Sequence, residues 1–241
     1  MGFDAGLAVY AAVVVLAAYV IRGIAGFGSG LIAVPLLSVM VPVATAVPVV
    51  VSLDYIASAG QSVRHVRQVV WREQVWLVPF MLVGVAMGLL MLQGVATAVL
   101  SRALGIFVIA YAIYQLLPLP PLRGSRLSAV SCGLMGGLVG TLFGTGGPFY
   151  AMYFNLRGLD KGAFRATFAV NFMIDGGVRL LAYAVSGLIG GPTLGWVVLA
   201  LPLSVIGLFV GGRIHLDLSE RAFARLVSGI LLASGTALIL R

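Results

Sequence analysis

Four ionisable residues stand inside long apolar runs: Arg22, Asp54, Asp175 and Arg179. A charge in hydrocarbon is costly and marks function by default. Arg22 precedes a glycine-rich stretch, Gly26-Phe27-Gly28-Ser29-Gly30, and a second stretch follows at mid-chain, Phe143-Gly144-Thr145-Gly146-Gly147. Glycines at this density break a helix. Amide groups freed at the start of the next half-helix point one way and carry roughly half a positive charge, which suits an anion. Ser29 and Thr145 hold matching places and each adds a hydroxyl. Arg22 and Arg179 are candidates to attract and hold an oxyanion. Asn171 shares a helical face with Asp175 and is a candidate donor to a substrate oxygen. Asp54 and Asp175 are candidates for proton coupling or gating.

Each assignment has a plainer reading beside it. Asp175 and Arg179 lie four residues apart and can form a structural ion pair on one helix. Arg22 can snorkel to an interface. Asp54 has no partner visible in the sequence. Gly84/Gly88, Gly207/Gly211 and Gly136/Gly140 have the spacing that lets membrane helices pack closely. The two glycine stretches are denser than packing alone requires, and they read as substrate-binding.

The elements that must position these groups are membrane helices. The chain has 241 residues, 61% hydrophobic and 9% charged, whereas a soluble domain is nearer half apolar and a quarter charged. Apolar stretches approaching the bilayer-spanning length recur from end to end. No polar segment is long enough for a soluble domain. The first residues, MGFDAGLAVY, lack a basic n-region and read as a retained first membrane segment. The net charge is +8, but the basic residues cluster in short loops, where they orient the chain and do not bind nucleic acid. Cys132 is alone, and His65 and His215 have no metal-like companions; neither a metal nor a cofactor is expected. Gln61 reads as a loop residue. Arg102 and Arg225 read as interfacial anchors, and Trp71, Trp76 and Trp196 as an aromatic belt.

The chain reads as two copies of one unit. GIAGFGSG at 23–30 returns as GLVGTLFGTG at 137–146; ATAVPVVVSLD ends at Asp54 and ATFAVNFMID at Asp175. Pro79, Gly84, Gly88 and Arg102 match Pro202, Gly207, Gly211 and Arg225, each pair 123 residues apart. The repeats are 1–120 and 121–241, joined by LPLPPLRGSRLS. Loop charge alternates between them. The stretch 61–73 is basic and its counterpart 182–195 is uncharged, while 157–165 and 213–225 are basic and the loops near 40–44 and 91–97 are not. The positive-inside rule then makes the repeats inverted. Crossings are expected at 44–60, 75–93, 98–117, 165–185, 194–212 and 223–240. The opening segments, 5–40 and 128–156, are each expected to hold two short helices around a glycine break. The fold class is therefore an all-α polytopic membrane protein of two inverted repeats, each a glycine-broken helix pair followed by three crossings. Both termini are expected outside the cytoplasm.

Over essentially its whole length the chain resembles the TauE/SafE sulfite exporter family, also called the 4-toluene sulfonate uptake permease family. GIAGFGSGLIAVP and GLVGTLFGTGGPFY carry the resemblance, the second more typically. In the first, Ser29 stands where another Gly is expected and the proline comes later, at Pro35. The resemblance implies a secondary transporter of the inner (plasma) membrane for small sulfur-containing anions, sulfite or organosulfonates, with export the better-known direction. The residues themselves suggest only an anion. A passive anion channel would use the same breaks but gains nothing from intramembrane aspartates. An intramembrane aspartyl protease would use Asp54 and Asp175 but has no need of two glycine breaks, and no HExxH, GxSxG or Walker A motif is present. The oligomeric state has no signature in the sequence.

Overall fold

The structure, a computed structural model, describes residues 5–25, 28–59, 68–117, 124–214 and 220–240. The expectations for Gly26, Phe27, Gln61, His65 and His215 lie outside the described residues. Among the described residues there are ten helices and no strand. The first half contains α1 (Ala5–Ala25), α2 (Ser29–Ser38), α3 (Val43–Ala59), α4 (Trp71–Gly94) and α5 (Thr97–Leu116). The second contains α6 (Ser128–Phe143), α7 (Gly147–Leu156), α8 (Lys161–Val185), α9 (Gly191–Arg213) and α10 (Glu220–Leu240). A chain this apolar must satisfy its backbone internally when it enters a bilayer, and helices do so within one segment. Five stretches are long and apolar enough to cross: Gly6–Ile24, Trp71–Gly94, Thr97–Leu116, Lys161–Val185 and Gly191–Arg213. With 17 residues, α3 reaches about 26 Å, just short of a ~30 Å hydrocarbon core.

The helix ends follow local chemistry. Asp160 caps α8 by accepting from the amides of Gly162 and Ala163 at 2.9 and 3.0 Å, as an N-cap aspartate does. Gly28 and Gly144 have φ of 96° and 71°, a left-handed conformation that costs any residue with a Cβ. These two glycines make the breaks.

The opening segments depart from expectation in one respect. Three of their four arms are short: α2 and α7 have 10 residues each, about 15 Å, and α6 has 16, about 24 Å. By contrast α1 has 21 residues, about 31 Å, and is one of the five full-length apolar helices. The glycine inside it, Gly23, does not break it. A Cβ there would lie 2.7 Å from the Leu208 carbonyl oxygen and 2.8 Å from Gly211 Cα, so the tertiary contact with α9 uses the missing side chain.

Packing exchanges elements between the halves. The most extensive contacts join α4 to α6, α1 to α9 and α5 to α10. Gly84 and Gly88 on α4 leave no room for a Cβ against the α6 backbone at Leu134 and Leu138, and Gly133 and Gly137 on α6 likewise meet Leu77 and Met81 of α4. Gly207 and Gly211 on α9 meet Leu16 and Val20 of α1. The packing reading is therefore borne out for Gly84/Gly88 and Gly207/Gly211; on α6 the helix-packing pair is Gly133/Gly137, while Gly136 meets the Tyr150 ring and Gly140 faces Gly146 and Arg179. Contacts advance together along α1 with α9 and along α4 with α6, so each pair runs parallel. Along α5 and α10 they run in opposite senses, Gly105 meeting Gly235 and Ile239 while Ser228 donates to the Ala112 carbonyl. Exchanging the two halves maps this set of contacts onto itself.

Candidate functional site

The two breaks touch. A Cβ at Gly30 would lie 2.5 Å from the Gly144 carbonyl oxygen and 3.6 Å from Asp54 Oδ2. Two clusters of like composition flank this contact, each with one carboxylate, one guanidinium and one phenol.

In the first cluster, Asp54 on α3 pairs with Arg22 on α1 at 2.5 Å. The Tyr19 hydroxyl and the Ser29 hydroxyl both donate to Asp54 Oδ1 at 2.6 Å. Arg22 also donates to Ser29 Oγ at 3.0 Å and to Ser58 Oγ at 2.6 Å. Asp54 is 5% exposed and Arg22 7%. This corrects the reading of Asp54 as partnerless and of Arg22 as a snorkelling cation: both are closed into one buried pair. Arg22 Cζ further lies 5.9 Å from the Phe172 ring centroid on α8, which links it to the second half.

In the second cluster, Asp175 and Arg179 pair at 2.5 Å along α8. The Tyr150 hydroxyl of α7 donates to Asp175 Oδ1 at 2.9 Å, and Arg179 donates to the Gly140 carbonyl at 2.8 Å. The i, i+4 pair expected from sequence is thus present. Asp54 and Asp175 are repeat mates, but their partners are not. The residue of α3 equivalent to Arg179, four after Asp54, is Ser58, and its hydroxyl accepts from the Arg22 that replaces it in the first cluster. Tyr19 and Tyr150 likewise come from non-equivalent helices.

The clusters differ in what they leave unpaired. Around the first break the α2 N-terminus carries its own anion, since the Asp54 carboxylate sits against Ser29 and Gly30. No side chain caps α2 or α7, and among the described residues no carboxylate lies against the α7 N-terminus as Asp54 does against Gly30. Thr145 Oγ1, both amide atoms of Asn171 and Arg179 Nε are buried and have no hydrogen-bond partner. From the point where a Cβ of Gly140 would sit, Gly146 N is 3.4 Å away and Arg179 Cζ 3.6 Å; the guanidinium and the opening turn of α7 therefore share one small space. Gly147 lies beside Phe168 of α8, 3.6 Å from an added Cβ. A buried polar atom without a partner costs free energy comparable to a lost hydrogen bond; this half holds three such donors, Thr145 Oγ1, Asn171 Nδ2 and Arg179 Nε, together with the acceptor Asn171 Oδ1. Phe143 is placed differently: its ring stacks on Phe107 at 5.7 Å, towards α5.

One buried cluster carries no signal that the sequence reading used. Glu73 at the start of α4 is 4% exposed. It accepts from the Tyr153 hydroxyl at 2.5 Å and from Arg157 Nε at 3.1 Å, with Arg126 Nε at 3.5 Å. It ties α4 to the far end of α7 and to the joint between the halves. A single acid within the basic stretch 61–73 was the available clue. Among the described residues no group of His, Cys, Asp and Glu is arranged to hold a metal. Arg102 and Arg225 are exposed, as are Trp71 and Trp76, while Trp196 lines an apolar cavity of about 230 Å³ with α1, α2 and α3.

Comparison with known proteins places these features in a family. A protein described as the probable sulfite/organosulfonate exporter TauE of Cupriavidus necator is 27% identical over 226 residues, covering 90% of this chain and 88% of that protein. No solved structure matches significantly. The family model for the sulfite exporter TauE/SafE matches residues 10–238, and the chain belongs to that family.

Proposed function

We propose that the protein is a secondary transporter that exports sulfite or a small organosulfonate across the inner membrane. In this reading residues 1–120 and 121–241 are inverted repeats forming one transport domain, with both termini outside the cytoplasm. The antiparallel α5–α10 contact supports the inversion, since a two-fold axis in the membrane plane makes equivalent helices antiparallel. The family membership and the relative's printed name support the substrate class and the direction.

The observation that carries the site is the set of unpaired buried donors, Thr145 Oγ1 at the second break and Asn171 Nδ2 and Arg179 Nε on α8, the helix packed against α7. The substrate oxyanion accepts from these groups and from the amides of Gly146 and Gly147. The first break, Gly28 to Gly30 with Ser29, forms the opposite wall and is filled by Asp54. Protonation of Asp54 or Asp175 releases its arginine and changes the local charge by one unit, which is the coupling step. Proteoliposomes test the class. A transporter gives saturable sulfite flux that a pH gradient accelerates; flux that rises linearly with concentration and carries net current would establish a channel instead.

A further inference from the structure

We propose that the site accepts only singly charged oxyanions, so that sulfite is carried as hydrogen sulfite and divalent anions are refused. This rests on the reading of the second break as the substrate site.

Among the described residues, the buried Arg, Lys, Asp and Glu are Arg22, Asp54, Glu73, Asp175 and Arg179. Glu73 is tied to Arg157 and Arg126 at the far end of α7. The other four cancel in pairs, Arg22 with Asp54 and Arg179 with Asp175. Both arginines facing the breaks are thus spoken for, and the side chains bring no net charge. What remains for a ligand is neutral or already neutralised donors, Thr145 Oγ1, Asn171 Nδ2 and Arg179 Nε, and the partial positive end of α7, roughly half a unit charge. The equivalent end of α2 has the Asp54 carboxylate beside it, 3.6 Å from where a Cβ of Gly30 would sit. One negative charge is offset in part by the half unit at α7 and by the hydrogen bonds of the unpaired donors. A second would be buried without a counter-charge, the situation that desolvation penalises most.

The ionisable groups of the two clusters and the helices packed against them are Arg22 and Tyr19 from α1, Asp54 and Tyr55 from α3, Tyr150 from α7, and Asp175, Arg179 and Tyr183 from α8. Any of them could impose a pH dependence of its own, so the test needs a ligand whose charge is fixed. Methanesulfonate is a monoanion throughout the accessible range; sulfite gains its second charge near neutral pH; sulfate is a dianion.

Binding of each would be measured on the purified full-length protein by calorimetry from about pH 6 to about pH 9. The expected result is methanesulfonate affinity that changes little, sulfite affinity that, relative to methanesulfonate, falls about tenfold per pH unit above its second ionisation, and no competition by sulfate at either end. Asp175→Asn, with folding judged by a monodisperse elution profile, leaves Arg179 uncompensated; sulfate then competes, with a gain at least about tenfold larger than that of methanesulfonate. This variant separates charge from shape. If it does not fold, the wild-type series alone decides. Sulfate competing with the wild type at any pH, sulfite affinity that holds or rises with pH, or Asp175→Asn that folds and still refuses sulfate would overturn the charge rule. Failure of all three anions to bind would instead overturn the substrate reading on which it rests.

Discussion

At the residue scale, two aspartates 121 residues apart have recruited the same partners by different routes. Asp175 takes its arginine from its own helix, and Asp54 takes one from α1 across the fold. The first route was legible in the sequence because i, i+4 spacing fixes a shared face. The second was not, because a contact between positions 22 and 54 exists only once α1 and α3 are both packed against α2 and α9. The pairing predicts unequal consequences for single and double changes. Arg22→Ala leaves a carboxylate buried without its counter-charge and destabilises the protein by about 3–5 kcal/mol, read as a lowered melting temperature in detergent. Arg22→Met combined with Asp54→Leu removes both charges and recovers most of that loss, yet abolishes pH-gradient-driven flux. A double variant that folds and still responds to the gradient would remove Asp54 from the coupling step.

At the element scale, the glycines separate into two classes that composition cannot tell apart. Gly137 packs so closely on α4 that a Cβ would overlap the Met81 carbonyl and lie 2.9 Å from Val85 N. Gly28 has open space around it but a φ of 96°. Gly94 has neither constraint. Three alanine substitutions therefore rank in thermal stability: Gly137→Ala worst, because two backbones must part; Gly28→Ala next, with a conformational cost of about 1–2 kcal/mol; Gly94→Ala neutral or slightly stabilising, since alanine is the better helix former. The half-helices α2 and α7 and the four expected crossings that are long and apolar enough to span, in α4, α5, α8 and α9, were readable because apolar length and glycine density are local properties. The full length of α1 was not, because whether Gly23 ends a helix is decided by α9, not by its neighbours in sequence. The Glu73 cluster escaped for a similar reason. Its three partners come from positions 126, 153 and 157, and in sequence it is one acid in a basic loop. Glu73→Gln is expected to loosen the joint between halves, seen as faster proteolysis near 118–127 with the membrane core still protected.

At the scale of the whole molecule, the parallel pairs α1–α9 and α4–α6 knit the halves so that neither packs its glycine faces alone. Separately expressed repeats are therefore expected to aggregate and co-expressed repeats to associate. Sidedness is the part of the account that rests on loop charge. A reporter active only outside the cytoplasm, fused after residue 241, is expected to be active, and the same reporter inserted at 118–123 inactive; the reverse pattern would invert the orientation while leaving the fold intact.

The central claim is that the second break, not the first, receives the substrate. Its most direct test is methanesulfonate binding to the purified protein, comparing the wild type with Thr145→Leu, Asn171→Leu and Ser29→Leu at matched folding. Thr145 Oγ1 and the Asn171 amide are unpaired, whereas Ser29 is committed to Asp54 and Arg22. The account predicts binding lost in the first two, by tenfold or more for each donor removed at about 1.5–3 kcal/mol per hydrogen bond to a charged group, and weakened less in Ser29→Leu. Undiminished binding in both Thr145→Leu and Asn171→Leu would contradict it.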